Sequence, residues 1–271
     1  MSNLKHRLPF ELYRNIVNEV DKKSDLVSLL LVSQAFYAEA ERTLYREVDI
    51  IDDDDRLLKQ ITSSTRIARH VTSLAVLDCN EVELGLLNSV LRSVVNLVSL
   101  ALYTTHWIEF DQLVHGVSFR LDTLTVGILA LDLSSKAFFR SQSSFLRELY
   151  FTGDATIHTE MIEALNRIRF PNLRKFKSWI IEDDEMPPPT ELLRLKSLER
   201  LACQQDIIET IDRPLSSIRA LYVFDWQRYY NRGIQHFPNL TYLRLTVVSI
   251  TSASHLRGIF PLTHDEIIAL F

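Results

Sequence analysis

The chain has 271 residues, 46% hydrophobic and 24% charged, a balance that excludes wholesale disorder and allows either one large domain or a small module joined to a larger one. A formal net charge of −5 argues against nucleic acid as a partner, because that binding rests on cationic neutralisation of phosphates. Two cysteines, Cys79 and Cys203, have neither paired nor metal-ligand spacing, and the sequence has no apolar signal core or run of membrane-spanning length, so a soluble protein of the cytosol or nucleus is expected, with no membrane partner.

Taken in order, the first fifty residues read as three short helices. Pro9 sits where a helix would begin, its missing N–H harmless there, and Leu12, Ile16 and Val20 follow at helical spacing. Ser24 or Asp25 offers an N-cap for a second helix through Leu26, Val27 and Leu30, in which the run Leu29 to Val32 points in four directions and predicts cover on nearly every side. Ser33 can cap a third helix through Phe36, Ala40 and Leu44, after which Leu44 to Ile50 turns extended and alternating. So small a unit cannot bury this much apolar surface alone and needs the following domain, a partner, or both.

The order Leu8-Pro9, Glu11-Leu12, Ile16, Asp25-Leu26 to Val32-Ser33, Phe36 and Leu44-Tyr45 resembles the F-box, the three-helix module that binds the Skp adaptor of SCF ubiquitin ligases. Phe36 and Tyr45 stand where tryptophans are usual, and both remain aromatic. The resemblance implies an adaptor-binding set of Leu8, Pro9, Leu12, Ile16, Leu26, Val27, Leu30, Val32 and Phe36, with cullin reached through the adaptor.

Residues 51–70 read as a linker helix, with the acidic run Asp52 to Asp55 favouring its N-terminus. From Val71 an apolar residue is followed by others three and five positions later, again and again: Val71, Leu74, Val76; Leu97, Leu100, Leu102; Leu121, Leu124, Val126; Leu146, Leu149, Phe151. The pattern continues through Leu173, Phe176, Ser178; Leu198, Leu201, Cys203; Ile218, Leu221, Val223; and Leu240, Leu243, Leu245. The starts lie roughly 20 to 27 residues apart, within the leucine-rich-repeat range. Stretches of helical period fall between, such as Val82 to Val94 and Met161 to Ile168. The phrases Phe170-Pro171-Asn172-Leu173 and Phe237-Pro238-Asn239-Leu240 enter their strands identically, with Asn96-Leu97 a shorter echo. An α/β chain is therefore expected: three F-box-like helices over 1–50, the linker over 51–70, and over 71–271 an irregular leucine-rich-repeat solenoid with parallel strands and convex-side helices. This organisation resembles the F-box proteins with divergent repeats found in fungi. Glu182 to Pro189 reads as an exposed acidic, proline-stiffened loop, and Thr263 to Glu266 as a capping box opening a final helix, Ile267 to Phe271, that caps the array.

Strand alternation places Glu148, Tyr150 and Thr152 on the open concave face, with small residues such as Ser73, Ser99 and Thr123 at the earlier strands. Later strands add Lys175, Lys177, Trp179, Arg200, Tyr222, Phe224, Tyr242 and Arg244, aromatic and cationic types enriched at binding hot spots. With Tyr150 they form the expected partner-binding set, suited to an acidic or phosphorylated segment. No glycine-rich phosphate loop, zinc motif or nucleophile elbow occurs, so a non-catalytic chain without cofactor or metal is expected. Two readings follow: a substrate receptor of an SCF-type ligase, or a repeat scaffold with no ubiquitin role. Exposure of Leu8, Pro9, Ile16, Leu26 and Leu30 would favour the first, and their burial the second.

Overall fold

A computed structural model describes residues 9–51, 55–77, 84–103, 110–127, 135–152, 165–178, 193, 195–209, 211–224, 234–247 and 265–270. The chain divides into two compact units, Met1–Leu100 with Leu113–Phe119, and Ala101–Gln112 with Arg120–Phe271. The expectations for Leu8, Asp52 to Asp54, Cys79, Val82, Met161, Ile162, Trp179, the acidic Glu182 to Pro189 segment, Thr263, His264 and Phe271 lie outside the described residues.

The first unit opens with α1 (Phe10–Asn18), α2 (Lys23–Leu29) and α3 (Gln34–Leu44). Pro9 is the N-cap of α1, and its carbonyl accepts from the Leu12 amide at 3.0 Å. Ser33 caps α3 as expected, its hydroxyl accepting from the Phe36 amide at 3.3 Å. The second helix departs from expectation. It starts at Lys23 behind an uncapped Lys22, so Ser24 and Asp25 lie within its first turn. It also ends at Leu29, leaving Leu30 to Val32 in a turn where the expected all-round cover fails: Leu31 is 88% and Val32 62% exposed. The core of the three helices is small, with Val17, Leu26 and Ala40 buried and Val20, Leu29, Leu30, Phe36 and Leu44 packed against it.

After β1 (Glu47–Ile51) come α4 (Asp55–Ser63) and α5 (Thr65–Ala68), two short helices where one linker helix was expected. The Ser64 hydroxyl, accepting from the Ile67 amide, breaks the run into two. One carboxylate ties α3 to α5: buried Glu41 accepts from Arg66 at 2.7 Å and from the Tyr37 hydroxyl at 3.0 Å, with His70 at 3.9 Å. Gln60 of α4 donates to the Tyr45 hydroxyl at 2.8 Å, a second tie.

Strands β2 (Ser73–Leu77) and β3 (Ser99–Tyr103) flank α6 (Leu84–Ser93), which turns Leu87, Val90 and Leu91 inward. Beyond them lie α7 (Phe110–Leu113), β4 (Thr123–Gly127), α8 (Lys136–Gln142), β5 (Glu148–Thr152), β6 (Lys175–Ser178), β7 (Arg200–Gln204), α9 (Gln205–Glu209), β8 (Ala220–Phe224), β9 (Tyr242–Val247) and β10 (Asp265–Leu270). Within each unit the strands are neighbours in chain order. Every described pairing is parallel except the last.

The eight apolar triads form the inward rows. All their positions from Val71 to Val223 are buried apart from Ser178, whose side chain lies outside the described ones, and Leu243 is 5% exposed. Val48 and Ile50 of β1 stand in register with Leu74 and Val76, adding one turn before the first expected repeat. In the second unit Phe110, Phe138, Phe139, Phe151 and Phe176 form a continuous chain of ring contacts, with successive centroids 5.3 to 6.4 Å apart.

Strands β2, β3 and β5 to β9 are each keyed to the preceding strand by a shared carbonyl. The Thr72 and Ser73 amides both donate to Arg46 O, Val98 and Ser99 to Thr72 O, Arg147 and Glu148 to Asp122 O, and Arg174 and Lys175 to Arg147 O. The same arrangement recurs at Arg174, Glu199 and Arg219. The asparagines of the repeated phrases add a side-chain staple: Asn96 donates to Arg69 O at 2.8 Å, Asn172 to Ser144 O at 2.7 Å and Asn239 to Ser216 O at 2.7 Å. The phrase thus satisfies backbone carbonyls that the turn leaves unpaired, in the preceding repeat. Repeated parallel strands with buried leucine rows and repeat-to-repeat keying are consistent with a leucine-rich-repeat array.

The chain's last described element corrects an expectation. Residues 265–270 form a strand antiparallel to β9, pairing Asp265 with Val247 and Leu270 with Tyr242, where a capping helix from Ile267 was expected. The unpaired edge of β9 offers a row of backbone partners, and the β-branched pair Ile267-Ile268 suits a strand, so pairing outweighs the local capping pattern.

Candidate functional site

Two surfaces carry the sequence-predicted residues. On the three helices, Pro9 is exposed, Leu12 and Ile16 are each 41% exposed, Val27 is 49% exposed, and Val32 is exposed. Leu12 and Ile16, four apart within α1, lie on the same side of that helix. Three expected contacts serve the module's own core instead. Leu26 is the fully buried position of α2, while Leu30 and Phe36 pack beside it. Phe36 also meets Tyr13 edge-on, ring centroids 4.9 Å apart. Leu31, the most exposed of the large apolar side chains among the described residues, was missing from the expected set. Nothing in the residue types marked it, because α2 stops at Leu29 within a run of like hydrophobicity.

Exposure therefore splits the discriminating residues, with Pro9 and Ile16 open, Leu30 half-buried and Leu26 closed. The apolar exposure is concentrated here all the same. Leu12, Ile16, Val27, Leu31, Val32 and Tyr37 outnumber the exposed large hydrophobics elsewhere among the described residues, namely Ile51, Val95, Val98 and Phe145.

The second surface lies on the sheet face turned from the core, over β5 to β9. Register aligns Glu148, Lys175, Arg200, Ala220 and Tyr242 in one row, and Tyr150, Lys177, Ala202, Tyr222 and Arg244 in the next. These positions share one face of the sheet, and their cations and aromatics are partly engaged with one another. Lys175 forms an ion pair with Glu148 across the first pairing, and the Tyr150 hydroxyl donates to the same carboxylate at 2.7 Å. Burial alone would raise the Glu148 pKa, but hydrogen bonds from Lys175 and Tyr150 and the positive charges of Lys175 and Arg200 outweigh it and hold the carboxyl below its ordinary 4.5. The Tyr150 phenol is driven the other way, by burial first and then by its bond to Glu148, so it stays protonated far into the alkaline range.

The Lys177 ammonium stands 5.4 Å above the Phe224 ring. That contact reaches from β6 to β8 across β7, where the register position beside Lys177 is the small Ala202. Burial lowers the Lys177 pKa from its ordinary value. Tyr222 and Tyr242 meet with centroids 5.2 Å apart, and Arg200 is exposed. Four cations and one carboxylate therefore share the two rows, in a chain that is acidic as a whole.

Among the described residues no group of three or more histidine, cysteine or acidic side chains is placed to hold a metal ion, and no helix is long and apolar enough to cross a membrane. No family model matches the chain, and no curated protein matches it. Among solved structures, a chain in the crystal structure of a TLR13–ssRNA13 complex is similar over 67% of this chain and 26% of its own length, at 18% identity and a TM-score of 0.48.

Proposed function

We propose that this chain is the substrate-recognition subunit of an SCF-type ubiquitin ligase, acting in the cytosol or nucleus. Its α1 to α3 module docks on a Skp-family adaptor and, through it, on cullin, while the repeat array holds a protein target. The chain does no chemistry of its own. It raises the effective concentration of the target's lysines near a ubiquitin-conjugating enzyme. The observation that carries this reading is the apolar exposure on α1, α2 and the turn after it, with Leu31 at 88%, since soluble monomers seldom leave such side chains uncovered in a group.

The test is co-purification with a Skp adaptor, comparing the wild type with a Val27→Glu, Leu31→Glu double variant. Both positions are exposed, so folding is expected to survive. A stoichiometric complex with the wild type, lost in the variant, supports the receptor. A monodisperse wild-type chain that ignores the adaptor refutes it.

A repeat scaffold with no ubiquitin role is the second reading. The Glu41 tie to Arg66 favours it, because it fastens α3 to α5 as a terminal cap would be fastened.

A further inference from the structure

We propose that the outer sheet face carries a socket at Ala220 for one aspartate or glutamate side chain of a partner protein, held by Arg200, Tyr222 and Tyr242. This rests on the reading of the repeat array as the partner-binding half, and it is independent of the adaptor. Register places Arg200 of β7 and Tyr242 of β9 on either side of Ala220 in the first row, with Tyr222 two residues further along β8 on the same face. The Tyr222 and Tyr242 rings meet with centroids 5.2 Å apart and stand as one wall. Ala220 sets only a methyl group beside that wall. Arg200 is exposed, and Ala220, Tyr222 and Tyr242 are each half-buried.

The same face shows what the socket lacks. On β5, Glu148 accepts from the hydroxyl of Tyr150, two residues along its own strand, and pairs with Lys175 on the neighbouring strand. Ala220 stands in the same relation to Tyr222 along its strand and to Arg200 on a neighbouring strand, but brings no carboxylate. The donors are present and their acceptor is missing. Among the described residues Arg200 makes no ion pair, with Glu199 or any other, and the Tyr222 and Tyr242 hydroxyls make no hydrogen bond. Glu148 feels the Arg200 charge but lies two strands away and is bonded to the Lys175 between them. Lys177, over Phe224, and Arg244 have partners of their own and take no part.

Charge decides the occupant. One guanidinium balances one carboxylate, and the two phenols add neutral donors to its oxygens. A phosphate monoester carries nearly twice the charge and would leave part of it unmet.

The experiment titrates the full chain with N-acetylglutamate amide, beside N-acetylglutamine amide and N-acetylphosphoserine amide. Nuclear magnetic resonance follows the backbone amides of Arg200, Ala220, Tyr222 and Tyr242. A saturable, salt-sensitive shift with the glutamate probe and none with the glutamine probe is expected. Arg200→Gln should weaken binding at least about tenfold, and Tyr222→Phe, which keeps the ring and removes the donor, about threefold. Ala220→Glu supplies the carboxylate from the chain itself. It should melt above Ala220→Gln at neutral pH, lose that advantage when combined with Arg200→Gln, and no longer take up the glutamate probe. A merely structural role for Arg200 would not couple it to Ala220 in this way. Circular dichroism checks that each variant folds, and Arg200→Gln with Tyr222→Phe decides the matter if Ala220→Glu does not fold.

Four results overturn the proposal: equal binding of the glutamine probe, a phosphoserine probe bound while the glutamate probe is not, folded Arg200→Gln and Tyr222→Phe chains that bind the glutamate probe as the wild type does, or a folded Ala220→Glu chain no more stable than Ala220→Gln. Absence of any shift with the glutamate probe where the adaptor complex forms overturns this inference alone. A shift without an adaptor complex overturns the receptor alone.

Discussion

Replacing Asn172 by alanine removes an amide that reaches back to Ser144 O at 2.7 Å in the preceding repeat. Asn172 is exposed, so water can replace its amide at the carbonyl, and the loss should be that of an ordinary net hydrogen bond, about 1 kcal/mol. Asn172→Asp has nearly the same shape but sets a carboxylate against a carbonyl oxygen, and should cost about 1 to 3 kcal/mol at neutral pH. Its protonated form can donate to Ser144 O, so the folded-state pKa of that aspartate rises above its unfolded value. The variant's deficit is then present at neutral pH and shrinks as pH falls, because stability linked to a raised pKa is lost on going up in pH. Urea unfolding followed by far-ultraviolet circular dichroism measures both, and with a slope of about 3 kcal/mol/M the alanine variant's midpoint falls by about 0.3 M. Asn239→Ala and Asn96→Ala should behave alike, and their effects should add, since well-separated sites seldom couple. The reasoning is refuted if Asn172→Ala and Asn172→Asp are equally stable at neutral pH, or if alanine at the exposed Asn18 of α1 costs as much.

Phe151→Ala should destabilise the second unit by about 3 to 5 kcal/mol in the same assay, because the ring is 1% exposed and touches both Phe139 and Phe176. Glu41→Ala leaves Tyr37 and Arg66 without their shared acceptor, and faster amide exchange in α5 is expected while the exchange of β8 is unchanged. The Glu148 carboxyl, held below its ordinary 4.5 in the fold, contributes stability that is present above that value and lost as pH falls through its lowered folded value. Thermal melts between neutral and acid pH should therefore decline less steeply for Glu148→Gln than for the wild type.

Much of the array was legible in the residues alone. A buried strand row needs an apolar residue at every second position and a helix stripe needs another period, so the eight triads announced their strands and their inward side before any contact was known. The Phe-Pro-Asn-Leu phrases marked strand entry for a local reason, although the acceptor of each asparagine lies more than twenty residues away and only the stacking of repeats brings it near. Whether Leu26 or Leu31 faces the core depends on where α2 stops, and Leu26, Val27, Leu30 and Leu31 are too alike in hydrophobicity to tell. Alternation could place Glu148, Lys175 and Lys177 on one face, but the ion pair, and the reach of Lys177 across Ala202 to Phe224, arise between strands distant in sequence. The last strand makes the same point: Thr263 to Glu266 spells a helix start to its immediate neighbours, while the open edge of β9, a feature of the folded sheet alone, supplies the hydrogen bonds that draw residues 265–270 into a strand.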